Sequence, residues 1–587
     1  MKKVLFFLVL VNLAAAALTD TITQYGITWK FSAQVETGQF INGDYYVVGN
    51  CTVVSIDPVP GGGRNGCELN PALNDSKSGY DSREEAGRYD GSMCTALPIN
   101  MKPGDALIST ISASVAEFKT IPNWLRKADK SNCPVKSACV LTCVSAALSA
   151  DAFRPSYCDR TQKIYYGKNL KRNILPSLPY GRETYDTDQG ALTLKEFEDK
   201  FIRVWLNLVF FHFDAPAEYQ PQYGREHGRA MGLASLILMT DLPLAKKEKL
   251  LIGLVQNGID LWGIAKAGFH GWQAFGGHGS GRKWPIVFAG KMLGDTDMSQ
   301  PTVTLPNLEF GEDMQTLYKT SWTGAKVVYA GHNGVDKNGN DVNSALGWGQ
   351  YEHLEPKDWP IYAAEPGMNE MYRRCCTSHA WVGMMLCAKI MHAEKLWNHD
   401  AFFDYVDRWM TEDDTGFMQT IKTQTNKVPY TNFSYAPNGL DFTASSYAWQ
   451  RQTWDGFVNQ MWANFRNNLP PDLDGTVITT TGSGNGSTEV RVVVYPSPAK
   501  IARTGGSTIK IANLAAGSII KIYNAQGVLV TTINPGTSRG RTNYITSSVA
   551  EWDATDDNNS TVASGIYYCM TEDPAGNRRK GKIALVR

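Results

Sequence analysis

Four glycines, an imidazole, a guanidinium and an ammonium are gathered in one short stretch, Phe275-Gly-Gly-His-Gly-Ser-Gly-Arg-Lys-Trp284. Glycine has no Cβ and admits positive φ, so such a backbone can approach a ligand closely. The apolar, helix-like run from Pro285 to Leu293 then offers N–H groups and the positive end of a helix dipole. A carboxylate or phosphate is the natural ligand. The plainer alternative is a structural turn in which His278 caps a backbone group and Arg282 pairs with a surface acid.

Two further polar clusters stand beside aromatic residues: Tyr223-Gly-Arg-Glu-His-Gly-Arg229, and Tyr351-Glu-His353 together with Tyr372-Arg-Arg-Cys-Cys-Thr-Ser-His379. Each supplies an acid, a base or an anion clamp. His278 is the candidate base or carboxylate neutraliser, Arg282 the clamp, and Tyr351 or Tyr372 the acid or base. A neighbouring guanidinium favours an ionised phenol, which makes tyrosine usable as a base. His227, Arg229, Lys283, Trp284, His353, Arg374 and His379 are the candidate substrate-binding positions. For every histidine the competing role is a hydrogen-bonded core residue. Trp272, Trp284, Trp348, Trp359, Trp381 and Trp397 offer flat faces on which sugar rings stack, or they simply fill a core.

The elements that must position these groups fall into three blocks. From about 20 to 185, β-branched and aromatic runs (Ile27–Phe31, Tyr45–Val48, Cys51–Ile56, Ala106–Ile111, Ala138–Cys143) alternate with Gly/Pro/Asn/Asp clusters, which predicts a β-sandwich-like domain. From about 190 to 467 the apolar period becomes helical, as in Phe197, Phe201, Trp205, Leu208 and Phe211, and in Leu251, Leu254, Val255, Ile259 and Trp262. Helical stretches are also expected over Glu226–Met239, Trp284–Leu293, Asn369–Lys395, His399–Met410 and Ser445–Arg466. Helical hairpins joined by long loops that carry the motifs predict an incomplete α/α toroid with a cleft among its loops. Residues 468–488, with Pro470-Pro471 and a Thr/Gly/Ser/Asn run, form a linker, and 489–587 returns to β. The expected class is therefore multidomain α+β.

At the N-terminus, Lys2 and Lys3 precede the apolar run Val4–Leu13 and Ala14–Ala17, the pattern of a bacterial secretory signal peptide over residues 1–17. The expected location is secreted or cell-surface, without a membrane span. With 57 basic and 57 acidic residues the formal charge is zero, which argues against a nucleic-acid partner and makes any attraction for an anion local. Seven of the eleven cysteines lie between Cys51 and Cys158, as suits disulfides in an oxidising compartment, although their pairing cannot be read from sequence. Their spacing is not that of a zinc site, so no structural zinc is expected, and no cofactor is expected apart from a structural calcium. Signatures of dinucleotide, P-loop, serine-elbow and zincin enzymes are absent.

The last block carries Val494-Tyr-Pro-Ser-Pro-Ala-Lys500, Ile519-Ile-Lys-Ile-Tyr-Asn-Ala-Gln-Gly-Val-Leu-Val530, Trp552-Asp-Ala-Thr-Asp-Asp-Asn-Asn559, Ala563-Ser-Gly-Ile-Tyr-Tyr568 and Lys580-Gly-Lys-Ile-Ala-Leu-Val586. Over about the last 95 residues it resembles the immunoglobulin-like C-terminal domains related to flagellar-hook capping modules and secretion-system sorting tails. That resemblance implies a sorting or surface-attachment role, with secretion machinery or the cell surface as partner. Asp553, Asp556 and Asp557 form either a calcium-binding turn or a plain acidic turn.

In architecture and composition, residues 190–467 resemble the secreted polysaccharide lyases built on an α/α toroid, of the alginate, glucuronan and heparinase type. The resemblance implies β-elimination on an anionic, uronic-acid-containing polysaccharide. A Tyr or His would remove the proton α to a carboxylate while Arg, His, Asn or Gln neutralise that carboxylate. Two alternatives stay open. A glycoside hydrolase on the same toroid would use two carboxyl groups roughly 5 to 10 Å apart, drawn from Glu352, Glu355, Asp358, Glu365 and Glu370. A non-catalytic glycan binder would need the aromatic faces alone.

Overall fold

The computed structural model describes residues 17–586 apart from the segments 74–76, 84–86, 131–132, 208–216, 343–347, 360–369, 418–419, 421–422, 425–449, 475–491, 496–498, 501–507, 526–527 and 575–577 and the single positions 189, 222, 371, 415, 513 and 547. The signal-peptide stretch up to residue 16, most of the linker, Leu208, Phe211 and Glu365 lie outside the described residues. The chain is mixed α+β with several sheets and an N-terminal β-rich part. It divides into two compact units, one of Met1–Leu170, Pro179–Ala388 and Ala393–Trp462, the other of Lys171–Leu178, Lys389–His392 and Ala463–Arg587.

The first unit opens with β1 (Ala17–Gln24), β2 (Ile27–Gln39), β3 (Tyr45–Val48), β4 (Cys51–Asp57), β5 (Cys67–Leu69), β6 (Ile99–Met101), β7 (Ala106–Ser112) and β8 (Val135–Val144). All five predicted strand runs are present. They form one sheet in the order β5-β7-β8-β3-β2-β4-β6, with β1 on β2, antiparallel except for the β8–β3 pair. Alternation drives the first half of β2: Ile27, Trp29 and Phe31 point into the core with Val47, Val53, Leu107 and Leu141. Trp29 buries its ring fully because its Nε1 donates to Ser109 Oγ at 2.9 Å. All eleven cysteines are thiols, and the Cys67 amide donates to Cys94 Sγ at 3.5 Å.

The helices that follow are α1 (Leu194–Phe201), α2 (Gly224–Leu238), α3 (Leu244–Lys266), α4 (Lys283–Leu293), α5 (Ser378–Ile390), α6 (Asp400–Thr411) and α7 (Gly456–Phe465). Thr193 starts α1 through a reciprocal capping box with Glu196. The periodic pattern through Trp205 predicts a longer helix than the eight residues found. Trp205 instead lies beyond its end and packs edge-on to Trp124 at 6.3 Å. Every residue of α2 is buried, so it is an interior helix and not an amphipathic surface one. Small residues permit that depth: Cβ atoms at Gly232 and Gly383 would press on the facing backbone at about 3 Å, which brings α2 and α5 into close contact.

Arg154 fastens the sheet to the helices. It is fully buried, its Nε donates to Asp44 at 2.6 Å, and its two other nitrogens grip Asp260 of α3 at 2.9 and 2.6 Å. Among the described residues no helix is long and apolar enough to cross a membrane.

The second unit holds β9 (Val493–Tyr495), β10 (Ile509–Ala512), β11 (Ile519–Asn524), β12 (Leu529–Ile533), β13 (Asn543–Thr546), β14 (Val549–Trp552), β15 (Gly565–Glu572) and β16 (Arg578–Val586). A four-stranded sheet, β9-β10-β14-β13, and a five-stranded sheet, in which β16-β15-β11-β12 continue from Ala499–Lys500, share one core. That core joins Ile509, Ile511 and Trp552 to Ile520, Ile522, Cys569 and Ile583. The three aspartates of the acidic turn all accept hydrogen bonds within the unit. Asp553 accepts from Thr542 and Thr555 hydroxyls at 2.6 Å, Asp556 from the Asn558 and Ser560 amides at 2.9 Å, and Asp557 from Thr531 at 2.8 Å. Among the described residues no group of three metal-ligating side chains occurs.

Candidate active site

The glycine loop is folded tightly against the start of α2, and the contacts explain its composition. A Cβ at Gly224 would overlap the carbonyl oxygens of Gly277 and His278, and one at Gly277 would meet the Cys376 carbonyl and the Tyr223 ring. Only glycines let three chain segments meet here. The Gly277 amide donates to Tyr223 Oη at 2.9 Å, and the Tyr223 and His278 rings meet edge to face at 4.5 Å. His278, Tyr223, Tyr372 and Trp348 are half-buried and Phe275 is exposed, so this is the open end of the arrangement.

A second glycine–histidine segment, Gly331-His-Asn-Gly334, closes on the first. The Gly276 amide donates to the His332 carbonyl at 2.8 Å. The Gln315 amide nitrogen lies 2.8 to 3.3 Å from the carbonyls of Gly276, Gly331 and His332 and the Tyr329 hydroxyl, which ties both loops together. The His332 ring sits 4.2 Å from Trp348, 4.3 Å from Tyr372 and 5.3 Å from Phe275. A side chain at Gly276, which has φ +65°, would strike the Tyr372 ring at 2.6 Å and His332 Nε2 at 3.0 Å. The tyrosine and the imidazole therefore flank a position that must stay empty. Tyr372 opens a π-helical stretch, Tyr372–Thr377, a form of backbone that often marks functional sites.

His332 Nδ1 lies 2.6 Å from Asn333 Oδ1. A carbonyl oxygen can only accept, so Nδ1 carries the proton and Nε2 is the acceptor nitrogen. Burial, opposed by the Asn333 contact and reinforced by His278, lowers the His332 pKa to about 4. His332 is thus neutral at ordinary pH. Neither it nor Asn333 is anticipated from the sequence, although a histidine between glycines, the pattern that singles out His278, occurs at both places.

Several of the expected site residues are placed elsewhere. Arg282 is turned inward and fully buried, and its Nη1 donates to the carbonyls of His278 and Ser280 at 2.8 and 2.6 Å. Both are backbone carbonyls of the tight turn, and the guanidinium serves as a donor to them. It shapes the loop; it does not clamp a ligand at the surface. Lys283 is buried on Asp313, its ammonium over the Phe310 and Trp397 rings at 5.5 and 5.2 Å. Trp284 is a core residue whose Nε1 donates to Ser235 at 2.7 Å.

His227 and His379 are buried, and desolvation holds both well below the usual histidine pKa. His227 meets Trp205 edge-on, while His379 stacks on Trp454 at 4.0 Å and binds the Cys375 carbonyl. Arg229 is enclosed by Asp455, Asp188 and Glu226. His353 is half-buried, with its pKa lowered by desolvation and Lys319.

Tyr351 is also interior. Its hydroxyl donates to Glu370 at 2.6 Å, and burial plus that carboxylate push the phenol well above its ordinary pKa. Glu370 pairs with Arg373 and Arg374, whose attraction outweighs burial and holds its pKa to about 2. Arg374 continues to Asp414 at 2.5 Å, and Arg408 grips Glu352 at 2.7 and 2.9 Å. Tyr351 and Arg374 thus belong to a closed ion-pair network.

Beneath the loop lies Glu312, fully buried on the turn Gly311–Met314. Burial first, then Asp313, raise its pKa to about 7 against the pull of Lys283 and Arg282. A carboxyl group with a raised folded-state pKa keeps its proton on folding below that value and must lose it above. Stability therefore falls as pH rises from its ordinary value of 4.5 to about 7, a gap that corresponds to about 3 kcal/mol. Urea midpoints of Glu312→Gln should lose most of the decline that the unaltered protein shows between pH 5 and 8.

No family model matches the chain, and no curated protein matches it. Among solved structures it is similar over 16% of its length to PorZ, described as a bacterial surface component of the type-IX secretion system of Porphyromonas gingivalis, at 27% identity, 11% of that chain and TM-score 0.13. It is similar over 16% to latent PorU from the same organism, at 20% identity, 9% of that chain and TM-score 0.12. A third similarity covers 16% of this chain and 91% of CopC from Methylosinus trichosporium OB3b, at 17% identity and TM-score 0.12. The chain thus spans about a tenth of the length of the first two.

Proposed function

We propose that this chain is a secreted lyase that cleaves a uronic-acid-containing polysaccharide by β-elimination. The observation that carries the reading is the meeting of Tyr372 and His332 Nε2 beside Gly276, next to His278 and Asn333 and under the half-buried faces of Trp348 and Tyr223. A proton acceptor, a phenol, an amide and stacking surfaces are what elimination from a sugar acid requires. The helices with their long connecting loops fit an incomplete α/α toroid, and the two sheets of the second unit fit an immunoglobulin-like sorting domain.

The sugar C5 proton is far too weakly acidic to leave unless the adjacent carboxylate is neutralised as charge develops. Because the basic side chains Arg282, Arg229 and Arg374 are all enclosed, this falls to the Asn333 amide and the His278 ring. Such preorganised donors contribute about 3 kcal/mol each in comparable oxyanion sites. His332 Nε2 accepts the C5 proton, and the Tyr372 hydroxyl returns one to the leaving oxygen. The hydrolase alternative is weakened by the fate of its carboxylates: Glu352 and Glu370 are locked in ion pairs, and Glu355 pairs with Lys357 at 3.1 Å.

Digestion of alginate, glucuronan, pectate and a glycosaminoglycan panel tests the reading. An eliminase produces an unsaturated uronate and a rise in ultraviolet absorbance. Reducing ends without absorbance would establish a hydrolase instead, and neither signal would leave a binder. The acid limb of kcat/KM, which reports the free enzyme, should titrate near pH 4, because protonation of His332 below that value removes the acceptor. A limb near pH 6.5 would transfer the base role away from His332.

A further inference from the structure

We infer that the outer face of the five-stranded sheet in the second unit is a docking surface for an anionic polysaccharide. Register defines the face. On it, Tyr523 of β11 stands opposite Tyr568 of β15, which stands opposite Lys582 of β16; the next row is Lys521, Met570 and Lys580; the next is Ile519, Glu572 and Arg578. An open antiparallel sheet ordinarily turns polar side chains to water. Here Ile519, Tyr568, Met570 and, on β12, Leu529 are exposed by 39 to 46%, around a depression of about 400 Å³ floored by Ile519, Lys521, Tyr523 and Met570.

The charges choose the occupant. Arg578 is paired with Glu572 at 2.9 Å, whereas Lys521, Lys580 and Lys582 form no ion pair among the described residues. Among its described residues the face therefore carries three ammonium groups outside ion pairs, interleaved with two phenol rings, while Glu572, held by Arg578, and Asp573 line the same depression. A polyuronate repeats a carboxylate on every sugar and a flat apolar sugar face beside it, and it complements both features at once. Lys580 and Lys582, two residues apart on one strand, are spaced about 6.8 Å along it, a ladder for a repeating charge. The surface shares only the substrate class with the reading above and needs no proton-transfer group.

Native gel electrophoresis of the full chain in gels cast with alginate, glucuronan or uncharged dextran tests it. The expected result is retardation by the anionic gels alone, weakened at least tenfold in apparent affinity by Tyr523→Ala with Tyr568→Ala, and likewise by replacing Lys521, Lys580 and Lys582 with Gln. Retardation should also shrink at 1 M salt, where the Debye length is about 3 Å. The rate of absorbance increase on short oligouronates should not change in these variants. Retardation that survives both sets of changes, equal retardation by dextran, or retention only by single-stranded nucleic acid or anionic vesicles would overturn the proposal. If retardation behaves as expected and no substrate yields an unsaturated product, the docking surface stands and the lyase reading falls.

Discussion

Tyr372→Phe is expected to lower kcat on the cleaved polyuronate by about 10²- to 10⁴-fold, the range that general acid–base groups contribute, with KM changed by only a few fold. The substitution removes one oxygen. The ring that packs 4.3 Å from His332 and 6.0 Å from Trp348 remains, so stacking of the substrate is preserved. Tyr351→Phe provides the internal contrast: it deletes a hydroxyl bound to Glu370 inside a closed network. It should cost stability, about 1 to 3 kcal/mol for a lost partner of a buried charge, and leave kcat within a few fold. Absorbance assays with thermal melts on the two variants separate the outcomes. A full-rate Tyr372→Phe enzyme would remove the phenol from the chemistry.

Arg154→Met should destabilise the first unit by about 3 to 5 kcal/mol, the usual penalty for stranding a buried charge. Two carboxylates, Asp44 and Asp260, would be left without their guanidinium at a site with no access to water. Even with Arg154 present, burial outweighs its attraction and raises the Asp260 pKa to about 6. Stability from this group therefore declines as pH rises from the ordinary aspartate value of 3.8 through about 6, and the variant, with no opposing charge, should decline more steeply. Urea unfolding at pH 5 and pH 8 checks the sign: the deficit of Arg154→Met should be smaller at pH 5. An equal deficit at both would mean that Asp260 stays ionised throughout.

The sequence by itself determined the order of the elements. Period-2 runs such as Ile27–Phe31 became strands, and the 3.6-residue pattern over Leu251–Trp262 became α3, because one-sided burial imprints its period on the chain. The glycine loop reads as a place where the backbone approaches a ligand closely; in the structure the atoms that crowd Gly276 and Gly277 belong to other segments of the chain, Tyr372, His332, Cys376 and Tyr223. What the sequence could not decide is which way a long side chain points. Arg282, Lys283, Arg229 and Arg374 read as anion-binding groups. The fold turns each inward, because a buried carbonyl or carboxylate left without a partner costs more than the entropy of holding one guanidinium still.

Tertiary structure alone also brought His332 and Asn333, more than fifty residues beyond His278, to the same opening. No local pattern encodes that distance. Convergence of two loops depends on the helices between them and on Gln315 bridging their carbonyls, and such long-range contacts leave no period in the chain.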